Sequence, residues 1–208
     1  MVYLPPHFTE TDPKVLAAHI ERYDFALLVT NGAGGMIASQ IPILSEWRDG
    51  QLYLLGHLAR PNPQSADFDG KTEALAIFTG PHAYVSPGWY QAGPAVPTWN
   101  YASVHAYGKA RAVDDAAWLD NFLHRLSARH EAREPNPWRM DDEPRPFLDG
   151  MMKGIVGFEI AVERCEGKFK LSQNRPAPDR PRIVAALEAR EDQESHGVAA
   201  LMRAREGK

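Results

Sequence analysis

Three stretches concentrate side chains able to do chemistry. His57-Leu58-Ala59-Arg60-Pro61-Asn62-Pro63-Gln64 delivers an imidazole, a guanidinium and two amides within eight residues. A guanidinium grips a phosphate through two parallel charge-assisted hydrogen bonds. An asparagine and backbone N–H groups can complete such a site, and the prolines stiffen the loop, which lowers the ordering cost of binding. The same residues would equally make a solvated loop with Asn62 capping a helix. The second stretch is aromatic: Pro81 to Tyr90, then Pro97-Thr98-Trp99-Asn100-Tyr101. Trp and Tyr offer flat apolar surface with a polar handle, the wall a planar heterocycle needs, and Thr98 and Asn100 could meet a ring edge. Ordinary packing of strand aromatics explains the same pattern. The third, Lys168 to Pro176, is dense in donors and suits either an anionic ligand or a solvated basic turn.

Other chemistries find no support. The eight histidines lack metal-ligand spacing; His82 and His105 stand alone, and neither His-Glu-x-x-His nor a paired carboxylate set occurs. The single cysteine, Cys165, excludes an intrachain disulfide and is flanked by Glu163 and Glu166, which disfavour a thiolate. No Gly-x-Gly-x-x-Gly or Walker loop is present, and Gly32-Ala33-Gly34-Gly35 reads as a turn because no helix is expected after it. No residue stands out as a general acid or base; His57, His82, Tyr84 and Tyr101 are no more than candidates. A net charge of −4 opposes broad affinity for nucleic acid or anionic membrane. No apolar run spans a bilayer and the start carries no signal-peptide pattern, so the expectation is a cytoplasmic protein.

The elements that must position these groups follow from periodicity and punctuation. Asp12-Pro13 is a cap with proline at the first helical position, and Val15, Leu16, His19, Ile20 and Tyr23 share one face, so a helix is expected over 13–22. Strands are expected at 25–30, 36–44, 51–58 and 72–79, with a hairpin turn at 48–50 and a short extended piece at 83–86. Residues 100–113 make one bent strand or two. A helix over 116–130 carries Trp118, Leu119, Phe122, Leu123 and Leu126 as its stripe. A short helix near 147–152 follows, then a strand at 155–163, a turn at Gly167 and a short strand at 169–171. From Pro178 the pattern is helical in two pieces broken near Gly197. Helices do not alternate with strands, so the fold class is mainly β with helices (α+β), an antiparallel barrel with marginal helices and a helical C-terminal tail.

Taken together and in order, GHLARPNPQ (56–64), GPHAYVSPGWY (80–90), VPTWNYASVHAYGKAR (96–111), GMMKGIVGFEI (150–160) and KLSQNRP (170–176) resemble the PaiB family of FMN-binding negative transcriptional regulators. MVYLPPHF at the start and VAALMR near the end fit as well; Ser65-Ala66-Asp67-Phe68 departs from the pattern. The resemblance implies a split β-barrel over residues 1–176, with a tail over 177–208 packed on the barrel or on a partner subunit. It implies FMN as cofactor, held at a homodimer interface. By position it implies Arg60 and Asn62, with His57, at the FMN phosphate, and Ser39 and Gln40 at the flavin edge. Thr98, Trp99 and Asn100 would reach the flavin from the partner, and Lys170, Gln173, Asn174 and Arg175 form the terminal basic motif. No metal is implied.

A DNA reader needs a basic face, whereas residues 178–208 hold six Lys/Arg against six Asp/Glu. An FMN-dependent oxidoreductase acting on a small substrate is the alternative. A haem-binding split barrel and an interaction protein with an empty pocket are further readings.

Overall fold

The computed structural model describes residues 2–91 and 93–205. The expectations touching Met1, Glu206 and Lys208 lie outside them. In chain order the elements are β1 (Thr9–Glu10), α1 (Pro13–Arg22), β2 (Phe25–Gly32), β3 (Gly35–Pro42), β4 (Leu44–Arg48), β5 (Gln51–Ala59), β6 (Asp69–Val85), β7 (Thr98–Val113), α2 (Ala116–Glu131), α3 (Arg145–Met152), β8 (Ile155–Lys170), α4 (Asp179–Glu188) and α5 (Gln193–Arg203). Among the described residues they build one eight-stranded sheet in the order β3-β2-β6-β7-β8-β5-β4, with β1 beside β8. The pairings β1–β8, β2–β3, β2–β6, β4–β5 and β5–β8 are antiparallel. None of the described helices is long and apolar enough to cross a membrane.

The local signals that start elements act as expected. Asp12 accepts the Lys14 N–H and opens α1 ahead of Pro13. Asp115 accepts the N–H groups of Ala117 and Trp118 and opens α2. Asp49 and Gly50, both at positive φ, make the tight turn between β4 and β5.

Four expectations need correction. The single strand at 36–44 is β3 and β4, parted at Ile43, whose N–H turns aside to the Asp24 carbonyl at 2.8 Å. The pieces at 72–79 and 83–86 are one strand, β6. Gly167 is no turn but lies inside β8, paired with Glu10; a Cβ there would come within 2.4 Å of Leu16 Cδ2. Gly197 does not break the tail, which breaks at Ala189–Asp192 instead. It sits inside α5 against Pro81, where a Cβ would meet the proline ring at 2.7 Å. Both glycines mark close approach, not a change of direction.

Contacts divide the chain into two compact units. One comprises 1–23, 78–105 and 165–208, and its buried apolar set includes Leu16, Ile20, Val85, Val104, Phe169, Ile183, Leu187, Val198 and Met202. The tail is tied into it: Met202 Sδ lies 3.5 Å from Asn100 Nδ2, and Arg205 pairs with Glu10. The other comprises 24–77 and 106–164. There Leu44, Leu55, Phe122 and Leu126 form one cluster, and Leu119, Met140, Leu148 and Met152 another.

Candidate functional site

Within the second unit, β3, β5, the start of β8 and the loop after β5 enclose a cleft of about 480 Å³. Its walls are Ile41, Pro42, Leu58, Ala59 and Ile155; its polar groups are Ser39, Gln40, His57 and Asn62. Ser39 and Gln40 lie on β3, His57 lies on β5 two residues before that strand ends, and Asn62 lies in the loop that follows. The loop is fastened from below. Asn62 caps the short 3-10 helix Pro63–Asp67 by accepting the Gln64 N–H at 3.0 Å, and its own amide donates to Ser39 Oγ at 3.1 Å. Asp67 accepts from Thr30 Oγ1 at 2.6 Å, and only a glycine at 32 leaves room for that carboxylate.

Burial pushes the His57 imidazole pKa down, so the ring is neutral near pH 7, and its Nδ1 is buried without a hydrogen-bond partner. Phe122 meets the ring edge-on at 5.7 Å. An orphaned ring nitrogen beside hydroxyl and amide groups and flat apolar walls fits a planar heterocycle with polar edges; the volume is that of a small-molecule site. The ring system of FMN therefore fits on the character of the cleft, whereas the lining carries no cation to partner its phosphate.

Arg60 is not among the residues lining this cleft, although Ala59, Asn62 and Ile155 beside it are. Its Nε donates to the Lys153 carbonyl at 3.0 Å, and its Nη2 to the Ile155 carbonyl at 2.9 Å and to Asp114 at 3.2 Å. It lines a separate hollow with Asp114, Asp149 and Lys153.

The remaining expected site residues belong to the first unit. Lys170 bonds Thr98 Oγ1 and the Trp99 carbonyl, and burial and the Lys168 charge lower its pKa. Asn100 is buried, donating to and accepting from Ser172 Oγ at 2.9 and 3.1 Å. Gln173 folds back onto its own segment, accepting the Leu171 N–H. Asn174 is exposed. Arg175 lies over the Tyr90 ring at 3.8 Å and pairs with the fully buried Asp179, which also accepts the Gln91 N–H at 2.7 Å. Trp99 is half exposed, with Tyr84 edge-on at 6.0 Å. His82 is exposed beside Glu194 at 3.3 Å. Cys165 is pushed up to about 11 by burial, which removes the thiolate at neutral pH.

The structure thus brings together Ser39, Gln40, His57 and Asn62, and separately joins Lys170 to Thr98 and Trp99 and Ser172 to Asn100, while Gln173, Asn174 and Arg175 make their contacts elsewhere. Apolar wall residues such as Ile155 escape a reading of the sequence that looks for reactive types, and Gln64 enters it only as one of the amides of the polar loop.

Residues 2–164 match the family model described as "Putative FMN-binding domain". The chain is 34% identical over 201 residues to the protease synthase and sporulation protein PAI 2 of Bacillus subtilis, covering 97% of this chain and 96% of that one. It is 32% identical over 188 residues to an uncharacterized protein of Aspergillus fumigatus, covering 73% and 72%. Among solved structures it resembles the FAD and heme binding protein of Mycobacterium smegmatis, with TM-score 0.59 at 17% identity over 86% of this chain and 79% of that one. It also resembles the flavocytochrome Anf3 of Azotobacter vinelandii, with TM-score 0.56 at 12% identity over 80% and 72%. These likenesses, with the sheet described above, give the fold as the split β-barrel. The chain therefore belongs to the FMN-binding domain family, as a PaiB-like flavoprotein with FMN as its cofactor.

Proposed function

We propose that this protein holds FMN in the cleft bounded by Ser39, Gln40, His57 and Asn62, and that it acts as a flavin-dependent negative regulator of transcription. The observation that carries the first part is the cleft itself: polar donors at one edge, apolar walls, and a neutral imidazole whose Nδ1 has no partner. Bound FMN supplies reversible electron transfer. The chain's own residues bind and orient it. Ser39 and Asn62 present a hydroxyl and an amide held in register by their mutual hydrogen bond, and His57 offers a ring nitrogen to a polar ring edge. Ile41, Pro42, Leu58 and Ile155 exclude water from a planar face.

The regulatory part rests on likeness to the PaiB regulators. The tail is charge-neutral and spends Arg203 on Glu188 and Arg205 on Glu10, so contact with DNA would use other faces. A homodimer with flavin at its interface is part of the same reading. Edge strands β3 and β4 support it, since they expose Met36 and Trp47 on either side of the sheet order. In that arrangement Thr98, Trp99, Asn100 and the Lys170–Arg175 segment of one copy would serve the flavin of the other. A second reading, haem, is favoured by one observation: His57 is a neutral imidazole with an unengaged ring nitrogen, the form that ligates iron.

The test is the absorption spectrum of the purified protein before and after adding FMN, followed by gel filtration. A flavin spectrum that travels with the protein is expected. A Soret band would select haem, and a protein that releases all flavin would overturn the assignment of the cleft. A shift assay on DNA carrying the protein's own promoter, with FMN oxidised and reduced, tests regulation. Flavin-linked reduction of a small substrate without any DNA shift would select the oxidoreductase.

A further inference from the structure

Gln64 is wholly buried, yet one of its polar atoms is left unused. Its Nε2 donates to the Leu28 carbonyl of β2 at 3.0 Å and to the Ile37 carbonyl of β3 at 3.2 Å, while Oε1 has no partner. An unpaired buried acceptor costs free energy that an apolar side chain of the same shape would not incur. What the apolar side chain could not do is clasp two adjacent strands at once.

The place of the clasp is specific. Leu28 is the cross-strand neighbour of Ser39, and Ile37 lies two residues from Ser39 on the same strand. Gln64 thus grips the hairpin around Ser39. Through its backbone it also holds Asn62, whose Oδ1 accepts the Gln64 N–H at 3.0 Å; Asn62 in turn bonds Ser39 Oγ at 3.1 Å. The loop is closed from the other side by Asn62 N–H on the Ala59 carbonyl and Ser65 Oγ on the Asn62 carbonyl, both at 2.9 Å. The contacts form a ring: Gln64 amide, Leu28–Ser39 pair, Ser39 hydroxyl, Asn62 amide, Gln64 backbone. Two members of the ring, Ser39 and Asn62, line the cleft.

We infer that Gln64 is the positioning residue of the FMN site, fixing Ser39 and Asn62 at their working separation while itself never touching the ligand. The inference rests on the placement of FMN in this cleft. Any reserve of adjustment in the pair is removed by the clasp, so FMN meets two donors already in place and loses less freedom on binding.

The experiment is an FMN titration, followed by quenching of flavin fluorescence, of the wild type, Asn62→Ala, Gln64→Met and the double variant. Gln64→Met is expected to weaken FMN about tenfold, as loss of one well-placed hydrogen bond would. The double variant is expected to be weaker than Asn62→Ala alone, but by less than the full tenfold, because part of what the Gln64 side chain does is hold Ser39 against Asn62. Losses that multiply in the double variant, or wild-type affinity in Gln64→Met, overturn the inference. If Gln64→Met does not fold, Gln64→Leu, which also lacks side-chain donors, is run through the same cycle. A readout free of flavin accompanies these: the Asn62 side-chain amide pair in a nitrogen-15 spectrum should move to the positions of an unbonded amide in the Gln64 variant. An unchanged pair overturns the positioning role. A wild type that binds no FMN, with the amide pair moving as expected, defeats the cleft assignment and with it the link of the ring to FMN.

Discussion

His19 is the residue whose chemistry reaches furthest beyond its own contacts. It is buried on α1, with Nε2 donating to the Phe78 carbonyl at 3.1 Å and Tyr23 and Phe169 against the ring. Burial lowers its pKa to about 4, below the 6.5 of the unfolded chain. The unfolded state therefore binds more protons between those values, and stability rises with pH across that window. His19 contributes in full above pH 6.5 and loses its share as pH falls to about 4, to the extent of about 3 kcal/mol. Urea midpoints at pH 7, 6 and 5 should decline, and His19→Gln should flatten the decline; equal slopes would show that His19 is not the group responsible. Arg60 offers a second test at this scale. Its three hydrogen bonds join the loop after β5 to Lys153 and Ile155 at the start of β8 and to Asp114 just after β7, so Arg60→Ala should cost about 1 kcal/mol of stability. With the guanidinium so engaged, the ratio of FMN to riboflavin affinity should stay as in the wild type. A selective loss of FMN would instead place Arg60 on the phosphate.

Among the elements, the helices stand on caps and the strands on close approach. Asp115→Ala removes the acceptor for two N–H groups and should lower stability by about 1 kcal/mol, read from a thermal melt. Gly167→Ala should destabilise, although alanine suits a strand better than glycine does, because its Cβ would come within 2.4 Å of Leu16 Cδ2 and 3.0 Å of the Glu10 carbonyl; a melt unchanged from wild type would refute the tight fit. These two cases also explain what could be read in advance. Caps are local: Asp12-Pro13 and Asp115 are sufficient to set the starts of α1 and α2, because the partner N–H groups lie two or three residues away. The extent of β6 and β8 was not legible. A glycine that turns and a glycine that yields space to Leu16 look the same in a sequence, and Gly80-Pro81 inside β6 has the same ambiguity. The cleft was half legible for a related reason. Ser39, Gln40, His57 and Asn62 could be picked out by type and resemblance, but the hydrogen bond from Asn62 to Ser39 depends on a register that no single segment contains.

At the scale of the whole molecule, the tail and the sheet edges make the testable claims. Truncation before Pro178 removes Ile183, Val184, Leu187, Val198 and Met202 from the buried set. It also strips Asp179 from Gln91 and Met202 from Asn100. The truncated chain should be insoluble or lack a cooperative melt; a soluble protein with wild-type melting would make the tail an appendage. If β3 forms the edge through which two copies meet, Met36→Asp should shift sedimentation from dimer to monomer, and a dimer undisturbed by that change would move the interface elsewhere. The interleaving of the two units bears on synthesis. Residues 24–77 and 106–164 are all available once position 164 has left the ribosome. The opening segment, by contrast, must wait: β1 finds its partner only at Gly167 and Lys168, and Glu10 its counter-charge only at Arg205. The first 23 residues are therefore made first and settled last, and a ribosome stalled when position 164 has just cleared it should carry a protease-resistant middle behind a leading end that is still open to cleavage.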